Sequence, residues 1–472
     1  MRFWQLAARN LLRNRRRSLA TLLAMVVGLC AVLLFGGYRS NILYGLTTGF
    51  VQHSGHLQVQ RRGYFDNGGD SPLSYGIADY ARLQEAIRAD AQLGPLLHVV
   101  TPMLQLGGIA QHAGTGQTRS VLATGLIAAD ANRMLRWNEY GVVSYAKPLA
   151  LEGAAEDAAV IGTGVARRLG LCAALQVPDC APAVAAAPSA SAPALPEDLA
   201  ALAAQATDTE ADAALAAARS AQATRRIELL AATARGAPNV IGLQAIAAVN
   251  VGLKALDDVY MTLQLPQAQR LLYGREPPQV TAIALQLQHT ADVPAARARL
   301  ETLLGTAFAE PPLQVLDYRE LNPILGQTDE FMASMFGFIT LLIGVIVLFT
   351  IANTMGTAVM ERTVEIGTLR ALGMRRRGIT ALFLREALLL AVAGIAVGLL
   401  ATLLLSTLIN HSGWSWTPPG YSYAYLILVR IWQDGALLAG SIVGLIAITL
   451  ASAWWPARRA ARLEIVDALR HA

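Results

Sequence analysis

Residues 331–374 read FMASMFGFITLLIGVIVLFTIANTMGTAVM followed by ERTVEIGTLRALGM. The first part carries no charge between Glu330 and Glu361. A helix needs about 20 consecutive apolar residues to cross a hydrocarbon core of about 30 Å, so this run crosses with residues to spare. The second part turns abruptly into a charged, glycine-punctuated segment. Its acids come first (Glu361, Glu365) and Arg370 comes late, the order that complements a helix dipole. An apolar span continued by a short polar helix puts the chain among integral membrane proteins.

Three more stretches pass the same length test. No charge lies between Arg17 and Arg39, between Glu386 and Arg430, or between Asp434 and Arg458. The first run is too long for the apolar region of a signal peptide and reads as an uncleaved span. Composition agrees: 54% of the 472 residues are hydrophobic and 15% charged, against about 25% charged in soluble domains. The net charge of +5 does not point to nucleic acid, because the arginines gather at the ends of the apolar runs. Residues 1–18 carry six arginines and no acid, the loop 361–386 six arginines and three acids, and the tail 456–472 four and two. The positive-inside rule then predicts cytoplasmic termini, a cytoplasmic 361–386 loop, and residues 41–330 on the outer side. The predicted plan is an amphipathic segment 1–18, spans at 19–40, 331–358, 379–409 and 434–456, a cytoplasmic coupling helix over 359–378, a short outer loop 410–433 and a tail 457–472. The expected fold is therefore α-helical membrane protein with one span, a large mixed α/β periplasmic domain and three further spans.

Within the outer block, 55–60, 97–111, 118–125 and 279–289 read as strands. Helical spacing marks 78–92, 128–136 and 293–304, and Ala158–Gly162 reads as a strand turning into a helix at Gly164–Gly170. Residues 172–236 break the pattern. This Ala/Pro-rich stretch reads as an insertion, flexible over 181–196 and with one or two Ala-rich helices over 197–234. Cys172 and Cys180 bracket its entry. An oxidising compartment permits a disulfide between them, the alternative being two free thiols. Cys30 lies in the first span and reads as packing. His53 and His56 stand at metal-like spacing but flank Gly55 without an acidic neighbour in sequence, so they read as structural.

No Ser/His/Asp arrangement, paired-carboxylate signal or zinc motif is present, and the chain reads as non-catalytic. The only lysines are Lys147 and Lys254. Neither completes a phosphate-cradling G-x-x-x-x-G-K-[ST] loop, so ATP and magnesium are expected on a separate chain. At the N-terminus, Arg2, Gln5, Arg9, Arg13 and Arg16 share one helical face and Trp4, Ala7, Ala8 and Leu11 another, which suits a helix lying in the headgroup layer. Gly394-x-x-x-Gly398 and Gly440-x-x-x-Gly444 permit close helix packing.

The segment E-R-x-x-E-I-G-x-L-R-A-L-G at Glu361–Gly373 resembles the coupling segment of the FtsX-like permeases, which include MacB and the lipoprotein-releasing LolC/LolE permeases. The tail from Pro456 to Arg470 resembles that family's ending, although Ile465 or Val466 stands where proline is usual. Asp257–Tyr260 and Ala268–Leu272 resemble a late segment of the family's outer domain. The resemblance implies a MacB-like periplasmic core and the permease subunit of an ABC transporter in a bacterial inner membrane. It implies two copies of a partner ATPase and a second permease chain, the same or different. Glu361, Arg362, Glu365, Ile366, Gly367, Leu369, Arg370, Ala371 and Gly373 would couple to the ATPase. The work implied is release of a lipoprotein or lipid to a periplasmic carrier, with Gly36, Gly37, Tyr38, Phe331, Met332, Met335 and Phe336 flanking a lipid entrance. The alternatives are MacB-like efflux with a periplasmic adaptor and FtsX-like mechanotransmission to a cell-wall hydrolase.

Overall fold

The computed structural model describes residues 13, 15–68, 72–142, 147–178, 224–308, 310–417, 420 and 424–462. The amphipathic segment before Arg13, the tail beyond Arg462 and residues 179–223 of the expected insertion, Cys180 among them, lie outside the described residues. The chain forms two compact units. One comprises Gly45–Pro323 with Thr417–Ala424; the other comprises Met1–Tyr44, Ile324–Trp416 and Tyr425–Ala472.

The first helix, α1 (Arg15–Ser54), contributes to both units. After it the α/β unit runs in the order β1 (Leu57–Arg61), α2 (Tyr80–Ala89), β2 (Leu97–His112), β3 (Thr118–Leu126), α3 (Ala128–Leu135), β4 (Ala158–Gly162), α4 (Thr163–Arg168), β5 (Arg226–Ala232), β6 (Pro238–Val249), β7 (Tyr260–Gln264), α5 (Leu265–Tyr273), β8 (Ala282–Leu287), α6 (Val293–Ala307) and β9 (Leu313–Asp317). The strands form one sheet in the order β3-β7-β4-β6-β5-β2-β8-β1-β9. An additional β2–β3 pairing closes the first six strands into a ring. The long β2 makes this possible: Leu97–Met103 pairs with β8, while Leu104–Gln111 pairs with β3 and Ile109–His112 with β5. β4 and β8 are buried along their whole length, as expected of continuous apolar runs enclosed on both faces.

One expectation is overturned here. Residues 226–232 are not part of an Ala-rich helix. They form β5, in which Ile227, Leu229 and Ala231 are buried and alternate with more exposed neighbours. The Ile-x-Leu-x-Ala alternation at period two outweighs alanine's helix propensity once β2 and β6 are there to pair with. The C-terminal end of the expected insertion is thus part of the sheet.

The helical unit continues with α7 (Pro323–Glu361), α8 (Thr363–Ala371), α9 (Arg376–His411), a two-stranded ribbon of β10 (Ser415–Trp416) and β11 (Tyr425–Leu426), and α10 (Gly435–Ala461). Among the described residues four helices, α1, α7, α9 and α10, are long and apolar enough to cross a membrane. All outrun their predicted spans, because helical hydrogen bonding is internal and does not stop where the hydrocarbon does. α1 is the most enclosed. A Cβ at Gly28 would come within 2.9 Å of Val347, one at Gly394 within 3.1 Å of Met25 and one at Gly398 within 2.9 Å of Leu29. The 394/398 motif therefore seats α9 against α1 of the same chain. Cys30 is buried at that contact and accepts from Thr402 Oγ1 at 3.2 Å. No neighbouring side chain comes within 4 Å of a Cβ at Gly440 or Gly444.

Candidate functional site

The segment singled out by sequence resolves into three pieces. α7 runs through Glu361, Arg362 breaks the helix, and α8 follows at an angle set by Arg362's non-helical backbone (φ −108°, ψ 19°). α8 ends as a Schellman closure. Gly373, at φ 94°, donates its N–H to Arg370 O at 3.0 Å, and Met374 donates to Leu369 O at 3.0 Å. A left-handed residue is required there, and glycine takes it without steric cost.

α8 is two-faced. Arg362, Ile366 and Gly367 are buried, and Leu369 packs partly against the core of the helical unit. Arg362 Nη1 donates to Glu386 Oε1 of α9 at 3.2 Å, with side-chain exposures of 7% and 4%. This pair ties the break before α8 to α9, a few turns from the start of α9. Val364, Thr368 and Ala371 of α8 are exposed, as are Met360 at the end of α7 and Leu372 just after α8, Leu372 at 80%. Glu361 and Glu365 are also exposed, and Arg370 is half-buried. Arg13 Nη2 donates to Glu365 Oε1 at 2.6 Å. A cleft of about 420 Å³ lies between these elements, walled by Arg13, Glu365 and Leu369 on one side and by Ile379, Phe383 and Glu386 on the other.

Of the nine residues expected to meet a partner, the structure gives Arg362, Ile366 and Gly367 to the protein's own core. Glu361, Glu365, Ala371 and Gly373 of the expected set are exposed, beside Met360, Val364, Thr368 and Leu372, which sequence reasoning passed over. Their i, i+4 spacing is the signal that would have found them.

The residues expected at a lipid entrance separate. Gly36 lies against Leu437 and Phe336, and Phe336 stacks on Phe35 with ring centroids 6.1 Å apart. Gly37 lies against Val429 and Ile431, and its carbonyl accepts from Arg430 N at 3.2 Å. Tyr38 packs partly against the core, as part of the same helical unit. Phe331 and Met335 are exposed, and Met332 is half-buried. The glycines are packing positions, whereas the exposed side chains lie on α7.

In the α/β unit the strongest polar cluster surrounds Asp257. Its buried carboxylate accepts from the backbone N–H groups of Thr163 (3.0 Å) and Gly164 (2.8 Å) and from the Thr163 hydroxyl. It caps α4. His56 is fully buried; its Nδ1 accepts from Leu287 N at 3.0 Å and its Nε2 faces Thr290 Oγ1 at 3.2 Å. His53 Nδ1 lies 2.9 Å from Gly49 O on its own helix. Among the described residues no group of three His, Cys, Asp or Glu side chains could hold a metal ion. Cys172 is disulfide-bonded.

Four helices long and apolar enough to cross a membrane, a short helix packed on them and a large α/β region fit a membrane protein of the permease kind. Residues 335–465, from within α7 to the end of α10, match the FtsX-like permease C-terminal family. An uncharacterized ABC transporter permease of Methanocaldococcus jannaschii is 27% identical over 218 residues, covering 45% of this chain and 51% of that protein. A macrolide export ATP-binding/permease protein MacB of Bdellovibrio bacteriovorus is 28% identical over 210 residues, covering 42% of this chain and 29% of the relative. MacB of Escherichia coli is 27% identical over 197 residues, covering 41% and 28%. The chain spans about half the length of the first of these relatives and less of the others. Through this C-terminal domain it is similar to the FtsX/MacB-type ABC permeases.

Proposed function

We propose that this chain is the permease subunit of an ABC transporter of a bacterial inner membrane. ATP would be hydrolysed on a partner ATPase pair, and a second permease chain would complete the complex. The chain is a non-catalytic lever. The observation that carries this reading is the two-faced α8. Its inner face is locked to α9 by Arg362–Glu386, so force applied to the outer stripe Met360/Val364/Thr368/Leu372 moves α7 and α9 instead of bending a loop. The termini and α8 would be cytoplasmic and the α/β unit periplasmic, as the arginine distribution predicts.

The work done is extraction of a lipoprotein or lipid from the membrane toward a periplasmic carrier. This rests on the segment Gly55-His56-Leu57-Gln58-Val59, after the first span, which resembles the lipoprotein-releasing branch. The names of the relatives favour a second reading, export of small molecules or peptides with a periplasmic adaptor. Affinity purification from native membranes, with mass spectrometry of the co-purifying chains, separates the two. A lipoprotein or its carrier supports extraction, and an adaptor supports export. Recovery of an intact complex that reproducibly lacks any ATPase would sink both. Gly367→Pro, which breaks α8, should leave membrane insertion intact and abolish coupling of ATP hydrolysis to transport.

A further inference from the structure

Seven tryptophans are distributed unevenly in this chain. Trp414, Trp416 and Trp432 fall within the short connection from α9 to α10, together with Tyr425 and Leu426 of its two-stranded ribbon. These side chains are exposed, Trp414 at 64% and Trp432 at 55%. Yet the connection is clamped to the bundle. Val429 and Ile431 are buried, Asn410 exchanges two hydrogen bonds with the Val429 backbone (2.8 and 3.1 Å), and Arg430 N donates to Gly37 O. A connection that buries Val429 and Ile431 against the helices and leaves its indoles outside is built to meet something.

The polar groups around it mark a level. Arg39 Nη2 donates to Asp329 Oδ1 at 2.6 Å, and Ser40 Oγ donates to Asp434 Oδ2 at 2.9 Å. Asp434 also caps α10 through Leu437 N. These bonds put residues 39–40 of α1, 329 of α7 and 434 of α10 at one height, next to Trp432. Twenty residues further along α10, at a rise of about 1.5 Å each, lies a second aromatic pair about 30 Å away. That pair is Trp454 and Trp455, each covered by the arginine one turn on. Arg458 sits 5.2 Å over the Trp454 ring and Arg459 6.0 Å over Trp455. About 30 Å is the thickness of the hydrocarbon core, and indoles collect at its two boundaries because one edge is apolar and the other donates a hydrogen bond. The same step down α1 from Arg39 reaches Leu19, two residues short of the Arg15–Arg17 run. Down α7 from Asp329 it reaches Phe349, after which Thr350, Asn353, Thr354 and Thr357 enter the sequence.

We propose that the two described ends of the α9–α10 connection, 412–417 and 424–434, form a membrane collar. Trp414, Trp416, Tyr425 and Trp432 lie in the headgroup–acyl boundary of the leaflet on that side, and Trp454/Arg458 with Trp455/Arg459 hold the opposite boundary. The occupant of the aromatic face is lipid. The inference rests on the four long helices spanning a bilayer. By the same count Glu386 and the Arg362 lock fall past the opposite boundary, so the lever of α8 works outside the hydrocarbon core. The collar would hold the outer ends of α1, α9 and α10 at constant depth while α8 moves.

The test is depth-dependent quenching. The full-length chain is reconstituted into vesicles of phosphatidylcholine brominated either near the headgroup end of the acyl chains or near the bilayer centre. One variant keeps only Trp414 and Trp416, a second keeps only Trp454 and Trp455, and a third keeps only the buried Trp137 as control, the others being phenylalanine. The shallow bromines should quench both boundary pairs more strongly than the deep ones, and Trp137 should lose no emission. In the otherwise unchanged chain, Trp414→Ser with Trp416→Ser should remove part of the shallow-quenched component, which keeps the test valid should a multiple variant fail to fold. Quenching of Trp454 and Trp455 with none at Trp414 and Trp416 overturns the collar, since water or a partner protein then covers that face, and leaves the spanning reading standing. Absence of quenching at both pairs overturns the spanning reading and the collar with it.

Discussion

Arg362 and Glu386 face each other across 3.2 Å with both side chains buried, one at the break between α7 and α8, the other a few turns into α9. An ion pair in such a place is worth little against a well-packed apolar substitute, but removing one partner strands the other charge at a cost of about 3–5 kcal/mol. Glu386→Leu should therefore lower thermal stability sharply. Arg362→Met combined with Glu386→Leu should recover most of it. Unfolding of the purified protein in detergent reads both. Single and double variants of equal stability would show that the pair is not the lock described.

Surface positions of α8 should behave differently. Val364→Asp and Leu372→Asp alter exposed side chains, and such changes shift stability by about 0.5 kcal/mol or less. They should nonetheless reduce the amount of ATPase retained on affinity purification. Unchanged retention in both would remove the stripe from the partner-binding face. Glu365→Ala releases only the half-exposed pair with Arg13, worth about 0.2–1 kcal/mol, and should barely move the unfolding temperature.

Glycines of the spans offer an internal control. Gly398→Ile drives a side chain into Leu29, and overpacking of this kind costs about 1–3 kcal/mol. Gly440→Ile meets nothing within 4 Å and should be close to neutral in the isolated chain. Equal effects at the two positions would contradict the packing of α9 on α1. A loss at Gly440 seen only in the assembled complex would place another chain against α10.

Burial lowers the His56 pKa from 6.5 to about 4; the nearby Glu139 charge opposes this and His98 adds to it. Between those two values the unfolded chain binds the proton and the folded one does not, so stability is full above pH 6.5 and declines as pH falls toward about 4. The loss at the acid end is about 3 kcal/mol. Protonation would place a hydrogen on Nδ1 against the Leu287 N–H that it now accepts. His56→Gln should flatten this part of the pH–stability profile, measured as the unfolding midpoint at a series of pH values. An unchanged slope would show that another group titrates there.

The membrane class and the four spans were legible because a bilayer imposes one strong requirement, an uncharged run of sufficient length, and each run satisfies it in sequence. Several outer strands and helices were legible for the same kind of reason: the apolar spacing of Tyr80, Leu83 and Ile87, or the strand of Ala158–Gly162, is local. The β5 strand was not, since alanine-rich sequence has no strong local preference for a strand and Ile227, Leu229 and Ala231 need β2 and β6 beside them.

Sequence by itself determined where the chain is apolar, where its arginines cluster and that Glu361–Gly373 forms a short polar helix after a span. Only the tertiary structure decided which way that helix faces, because the motif contains both the residues it buries and the residues it presents. Arg362 is turned inward by Glu386, a partner 24 residues away, and Leu372 is left outside by the Schellman turn at Gly373. The ring closure of the sheet is likewise tertiary. It depends on β2 being long enough to pair with β8 in its first half and with β3 and β5 in its second, and no local spacing records which strands will come to lie beside it.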